Sequence, residues 1–192
     1  MPTGTAGAAR FDDGYVVIGA GSKVVDLYLD PLCPYCRRFD QANGHHLLTD
    51  AAHDSITLRV HPVAILDRLS MGTQYSTRAA ATIVDVAAHD PARLGAYLTA
   101  LFEHQPEENT PGLTDDEVED IAAGVGARLH PADLDRDRAW VTEHTRRALA
   151  GPLPGTTELP ALSSVPTVLV DGHHYAGESD DRAAFEAFYA AH

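Results

Sequence analysis

The chain has 192 residues, 44% of them hydrophobic and 7% aromatic, enough to bury one substantial core. With 14 basic residues against 28 acidic ones, the formal charge is −14 at pH 7; such a surface repels phosphate backbones and anionic lipid heads, so nucleic acid and membrane surfaces are not expected partners. Only two cysteines exist, too few and too close together for a disulfide-stapled scaffold, and no metal-ligand spacing surrounds them.

Residues 1–10 are small and polar and read as a flexible leader. They lack the cationic start and apolar run of a signal peptide, and no stretch approaches the roughly 20 apolar residues of a membrane span. The chain as given is therefore expected to be cytoplasmic, or extracytoplasmic if an export segment has been removed. Tyr15–Ile18 and Val24–Leu29 are strand-forming runs separated by the turn Gly19-Ala20-Gly21-Ser22, and pairing as a hairpin is the simplest expectation. Asp30-Pro31-Leu32 stops the second run and leads into Cys33-Pro34-Tyr35-Cys36. Arg37–Ala42 suits a helix that pauses near Asn43-Gly44 and resumes through Leu47 and Leu48. Ser55–Val60 alternates polar and apolar residues, predicting a strand whose regular pairing stops at His61-Pro62.

From Gln74 to Ala150 the pattern is helical. An Ala-rich helix runs from Tyr75 to about Ala88. Asp90 is an expected N-cap with Pro91 at the first helical position, for a helix reaching His104. After a loop, Thr114-Asp115-Asp116-Glu117 has the form of a capping box opening a helix to about Ala123, and a further helix spans Ala132–Leu149. Gly151–Gly155 is a linker. Ser164–Val170 returns to strand composition, Asp171-Gly172 is a hairpin signal before His173–Ala176, and Ser179 or Asp180 caps a last helix carrying Phe185, Phe188 and Tyr189. This order predicts an α/β core in two parts, residues 11–67 and 158–192, with a helical insertion over 68–157.

Two cysteines separated by two residues, at a strand-to-helix junction, have the spacing a disulfide exchange centre needs. The first sulfur sits at the helix start, expected exposed, where unpaired N–H groups stabilise its thiolate; the second lies one turn inward, able to attack a mixed disulfide. Two buried core thiols or half a metal site are the alternatives. No metal site is expected elsewhere: His45-His46 and His173-His174 lack helical ligand spacing, His61 reads as structural, and the acidic run 115–120 lacks the order of a calcium loop.

Cys33-Pro34-Tyr35-Cys36 after the strand Val24–Leu29, with Val165-Pro166-Thr167 far downstream and a helical block between, resembles the thioredoxin superfamily and, within it, the DsbA-like thiol–disulfide oxidoreductases of actinobacterial type. Val25–Asp30, Leu66-Asp67-Arg68 and Tyr75–Ala80 carry the narrower likeness. The resemblance covers about residues 14–190. It implies a thioredoxin fold with a helical insertion, Cys33 as nucleophile, Cys36 as resolving thiol, Pro166 as a cis-proline, and a substrate surface of Pro34, Tyr35, Val165 and Pro166. It implies no cofactor beyond the redox-active disulfide Cys33–Cys36. Many relatives keep a buried carboxylate six positions before the nucleophile; here that position is Leu27, and Asp26 should face the other side of its strand, leaving Asp30, Tyr28 or a water as proton acceptor. Protein or peptide thiols and disulfides are the expected substrates, with a dedicated redox partner protein as a further expectation. Exchange with low-molecular-weight thiols, as in glutaredoxins, and a non-catalytic binding module are the competing readings.

Overall fold

The computed structural model describes residues 1–192. Seven strands, β1 (Thr5–Ala6), β2 (Ala9–Arg10), β3 (Tyr15–Ile18), β4 (Lys23–Leu29), β5 (Ile56–Pro62), β6 (Thr167–Val170) and β7 (His173–His174), form one sheet in the order β1-β2-β3-β5-β4-β6-β7. The apolar strand β4 lies inside it, parallel to β5 and antiparallel to β6. The expected hairpin of β3 and β4 does not form: β5 inserts between them, and β3 pairs antiparallel with β5. Turn composition marks where a chain can reverse, but it does not choose the neighbour across the sheet. Pro62 also stays in the ladder, opposite Leu29, with Val63 N–H donating to Leu29 O at 2.9 Å. Its missing N–H points away from β4, on the side where β3 pairing has already ended at Val60.

The leader is structured. Ala8 N–H donates to Ala87 O at 2.7 Å, Phe11 is buried edge-on against Trp140, and Trp140 Nε1 donates to Phe11 O at 2.9 Å. Small residues permit this close approach of backbones, a use that composition alone does not separate from flexibility.

The helices are α1 (Pro34–Phe39), α2 (His45–Ala52), α3 (Tyr75–His89), α4 (Leu94–Glu103), α5 (Asp115–Gly124), α6 (Pro131–Ala150) and α7 (Arg182–Ala191). α3 to α6 lie between β5 and β6 in the chain, so a mixed α/β sheet is interrupted by a helical insertion. None of the helices is long and apolar enough to cross a membrane. The expected pause at Asn43-Gly44 is a π-helical turn, Asp40–Gly44, that joins α1 to α2 without a break. Gly44 leaves room there for the Asp40 carboxylate, which a Cβ would approach to 2.5 Å and push aside. Asp90 makes no side-chain cap, and Pro91 opens a short 3₁₀ turn instead, so α4 begins only at Leu94. Asp181, rather than Ser179 or Asp180, caps α7 by accepting from Ala184 N–H.

The capping box at α5 forms as the sequence suggests. Glu117 N–H donates to Thr114 Oγ1 at 3.2 Å, and Thr114 N–H donates to Glu117 Oε2 at 2.8 Å. Thr114→Ala is expected to lower unfolding stability by about 1 kcal/mol in urea titration, with the m-value unchanged.

Candidate active site

β4 delivers the chain to Asp30, which is fully buried. Its carboxylate accepts Leu32 N–H and Leu66 N–H, each at 2.9 Å, and its backbone carbonyl accepts Cys33 N–H at 3.0 Å. One side chain thus folds the strand-to-helix turn and ties it to the segment after β5. Cys33 is the N-cap of α1, in extended conformation, and Pro34 occupies the first turn, where no N–H is needed. Gln105, just past α4, donates from Nε2 to Pro31 O at 2.8 Å and to Cys33 O at 3.0 Å. The helical insertion therefore holds the cysteine loop directly, a contact that local sequence around the cysteines does not announce.

The expected exposed sulfur is corrected by the geometry. Cys33 is only 3% exposed and Cys36 2%; both are free thiols. The Cys33 thiol donates to Val165 O at 3.3 Å, and the Val165–Pro166 peptide is cis. Val165 is buried and Pro166 and Pro34 are half-buried beside it, while Tyr35 projects into solvent, 53% exposed, with the Arg38 guanidinium 5.1 Å above its ring. The sequence-predicted residues Cys33, Cys36 and Val165 thus converge from two distant segments, with Pro34, Tyr35 and Pro166 adjoining them in the chain.

The two thiols differ in acidity. Cys33 is lowered, chiefly by the hydrogen bond from the Cys36 thiol; burial opposes the shift, and the backbone N–H groups of Cys36 and Tyr35 add to it. Helix-start amides therefore act as expected, but second to the neighbouring thiol. Cys36 is raised well above its ordinary value, first by burial and then by its bond to Cys33. Burial pushes the Asp30 carboxyl up to about 6, and its charge in turn raises both thiols. The more acidic Cys33 and the less acidic Cys36 suit sequential attack: one sulfur ionises first, and the other waits as a proton-bearing donor.

Asp26 does lie on the other face. Its Oδ1 meets His61 Nε2 at 2.8 Å, and the His61 ring stacks on Tyr28 at 4.0 Å. These three residues, with His144 and Trp140, line a cleft of about 740 Å³ that neither cysteine reaches. Leu27 and Leu29 instead pack toward Phe39 on the α1 side. Tyr28 and Asp26 are thereby excluded as acceptors for Cys36, and Asp30 is the ionisable group left beside the pair.

Residues 14–188 match the Thioredoxin family profile. The chain belongs to the thioredoxin family. Its fold is that of the thioredoxin proteins with a helical insertion, and solved structures like it agree. The reduced disulfide bond oxidoreductase DsbG of Mycobacterium tuberculosis superposes with a TM-score of 0.72 at 24% identity, over 92% of this chain and 86% of that one. Reduced DsbA of the same organism gives a TM-score of 0.70 at 21% identity, over 93% and 98%. Among curated proteins, the serine/threonine-protein kinase PknE of M. tuberculosis is 32% identical over 120 residues, 60% of this chain. This chain covers 21% of that kinase, about a fifth of its length.

Proposed function

We propose that this thioredoxin-family chain is a thiol–disulfide oxidoreductase acting on protein or peptide substrates, with Cys33 as nucleophile and Cys36 as resolving thiol. The observation that carries the reading is the placement of an acidified Cys33 sulfur at the start of α1, hydrogen-bonded to Cys36 and to the carbonyl of Val165. Cys33 thiolate attacks one sulfur of a substrate disulfide, forming a mixed disulfide and releasing the other substrate sulfur as thiolate, which takes up a proton. Cys36, deprotonated, then attacks Cys33 Sγ; the second substrate thiol leaves, and Cys33–Cys36 closes. The substrate gains two electrons and the pair loses them; the reverse sequence oxidises a substrate dithiol. No cofactor beyond this disulfide enters the cycle.

Once Cys33 has turned to the substrate, the Val165 carbonyl is free to accept an N–H from an extended chain, and Pro34, Tyr35 and Pro166 border that track. The lowered Cys33 pKa stabilises the reduced form and so pushes the couple toward oxidant, which suits an oxidising compartment. The names of the DsbG and DsbA neighbours agree with this chemistry.

The test is a comparison of second-order rates for a peptide disulfide and for a glutathione mixed disulfide, with the pair's equilibrium against glutathione measured on the same protein. The peptide disulfide is expected to react at least tenfold faster, about 1.4 kcal/mol of added transition-state contact. Equal rates would place a small thiol at the site instead, and an unreactive pair would leave a binding module.

A further inference from the structure

We infer that the junction of α3 with α6 is a divalent transition-metal site, of zinc type, built from Asp85, His89 and His130. Asp85 and His89 stand at i and i+4 at the end of α3; His130 and Asp133 stand at the start of α6. One ligand atom from each of Asp85, His89 and His130 lies within 4.8 Å of the others. His130 Nδ1 is 3.4 Å from Asp85 Oδ2, and His89 Nε2 is 3.6 Å from Asp85 Oδ1 and 2.9 Å from Asp133 Oδ2. Donors at bond lengths of about 2.0–2.2 Å around a tetrahedral zinc stand roughly 3.3–3.6 Å apart, which the separations of Asp85 from His130 and His89 match.

Two observations point beyond ordinary hydrogen bonding. Asp85 is fully buried, yet its Oδ1 receives no hydrogen bond. A buried carboxylate oxygen without a donor is costly, and a cation on that side would satisfy it. The charge balance points the same way. Asp85, Asp133 and Asp137 face one guanidinium, that of Arg136, which pairs with Asp133 at 3.1 Å and Asp137 at 2.9 Å. Three carboxylates against that one guanidinium leave two carboxylate charges without a cationic partner from Arg or Lys, matching one divalent ion. Meanwhile, His130 N–H donates to Asp85 Oδ2 at 3.0 Å, fixing the carboxylate as outer hydrogen bonds do around metal ligands. The mixed imidazole and carboxylate donors suit zinc and its neighbours rather than calcium or magnesium. Such an ion would pin the two longest helices of the insertion to each other, remote from the dithiol chemistry.

Zinc alone is the probe, titrated calorimetrically into untagged protein carrying Cys33→Ser and Cys36→Ser, so that thiolates cannot compete. One zinc per chain is expected to bind, and His89→Ala and His130→Ala are each expected to weaken it about tenfold or more. At the same zinc concentration, zinc should raise the Tm of the parent by more than that of either variant. Cobalt(II) at the same site should give the intense visible absorption of a tetrahedral ion. Circular dichroism checks that each variant is folded; where one is not, the other decides. Absence of zinc binding to the parent, binding that survives both histidine changes, or binding that disappears with His46→Ala instead would each overturn the site. Full exchange activity in the His89→Ala chain with wild-type cysteines would leave the redox reading standing in every case.

Discussion

Cys33→Ser brings disulfide exchange down to the uncatalysed rate, a loss on the order of 10³-fold or more, because Cys36, the one thiol left, is buried and held protonated by that burial. Cys36→Ser keeps that attack but cannot finish it, so a covalent adduct with substrate accumulates and is visible on non-reducing gels. A third variant separates the causes of Cys33 acidity. In Cys36→Ser a hydroxyl still donates to the Cys33 sulfur; in Cys36→Ala nothing does, and only the amides of Tyr35 and residue 36 remain. Since the Cys36 thiol is the largest of the lowering influences, the pH curve for alkylation of Cys33 should lie at higher pH in Cys36→Ala than in Cys36→Ser. Coincident curves would mean that the helix start, not the neighbouring thiol, sets the acidity. Failure of Cys36→Ser to trap any adduct with a peptide disulfide would remove Cys36 from the resolving step.

Much of this site is legible in the sequence because it is built from neighbours. A β-branched run, a proline-containing break and two cysteines on one helical turn place Cys33 at an N-cap whatever surrounds it. The exposure of Cys33 is not legible in the same way. Its cover comes from Val165, 132 residues away, and from the loop around it, and no local pattern reports how closely a distant loop packs. Gln105 escapes notice for the same reason: a single amide after a helix end has no signature until it is found donating to two carbonyls of the cysteine loop. The cluster at Asp85, His89 and His130 goes unread in the sequence, because His130 becomes a neighbour of the other two only when α3 packs on α6.

The elements themselves follow their periodicity closely, and the departures share one origin. β3 and β4 are strands as read, but the choice of β5 as the common neighbour is a tertiary decision made by burying Val16, Val25, Leu58 and Val60 together. The segment 1–10 looks unstructured because two-residue strands leave no alternation to read, and it is held by Ala87 of the helical insertion, with Phe11 just after it anchored by Trp140. Asp90-Pro91 shows the limit of a cap signal: the proline fixes φ correctly, yet the turn it starts is 3₁₀ before it becomes α-helix.

Asp30→Asn is expected to change both the pH dependence of stability and that of the chemistry. Asp30 titrates near 6 in the folded protein against about 4 in an unfolded chain, so the folded state holds the proton more tightly between these values. Stability contributed by this group is therefore present below about pH 4 and is lost as pH rises to about 6, a fall of about 3 kcal/mol. Asparagine has no such titration. It accepts only one of the Leu32 and Leu66 N–H groups with its single oxygen, which costs about 1–3 kcal/mol at every pH. The wild-type advantage in urea titrations should then be largest at low pH and shrink by about 3 kcal/mol toward pH 7. Asp40, also raised to about 6 by burial, contributes equally to both proteins and cancels in the difference. Removing the Asp30 charge also removes an influence that raises both thiols, so Cys33 alkylation should move to lower pH in the variant. We propose that Asp30 takes the proton of Cys36, so turnover should nonetheless fall by about 10²-fold. Parallel stability curves for the two proteins between pH 4 and 7 would show that the Asp30 carboxyl is not held protonated by burial, and unchanged turnover would show that Cys36 gives up its proton elsewhere.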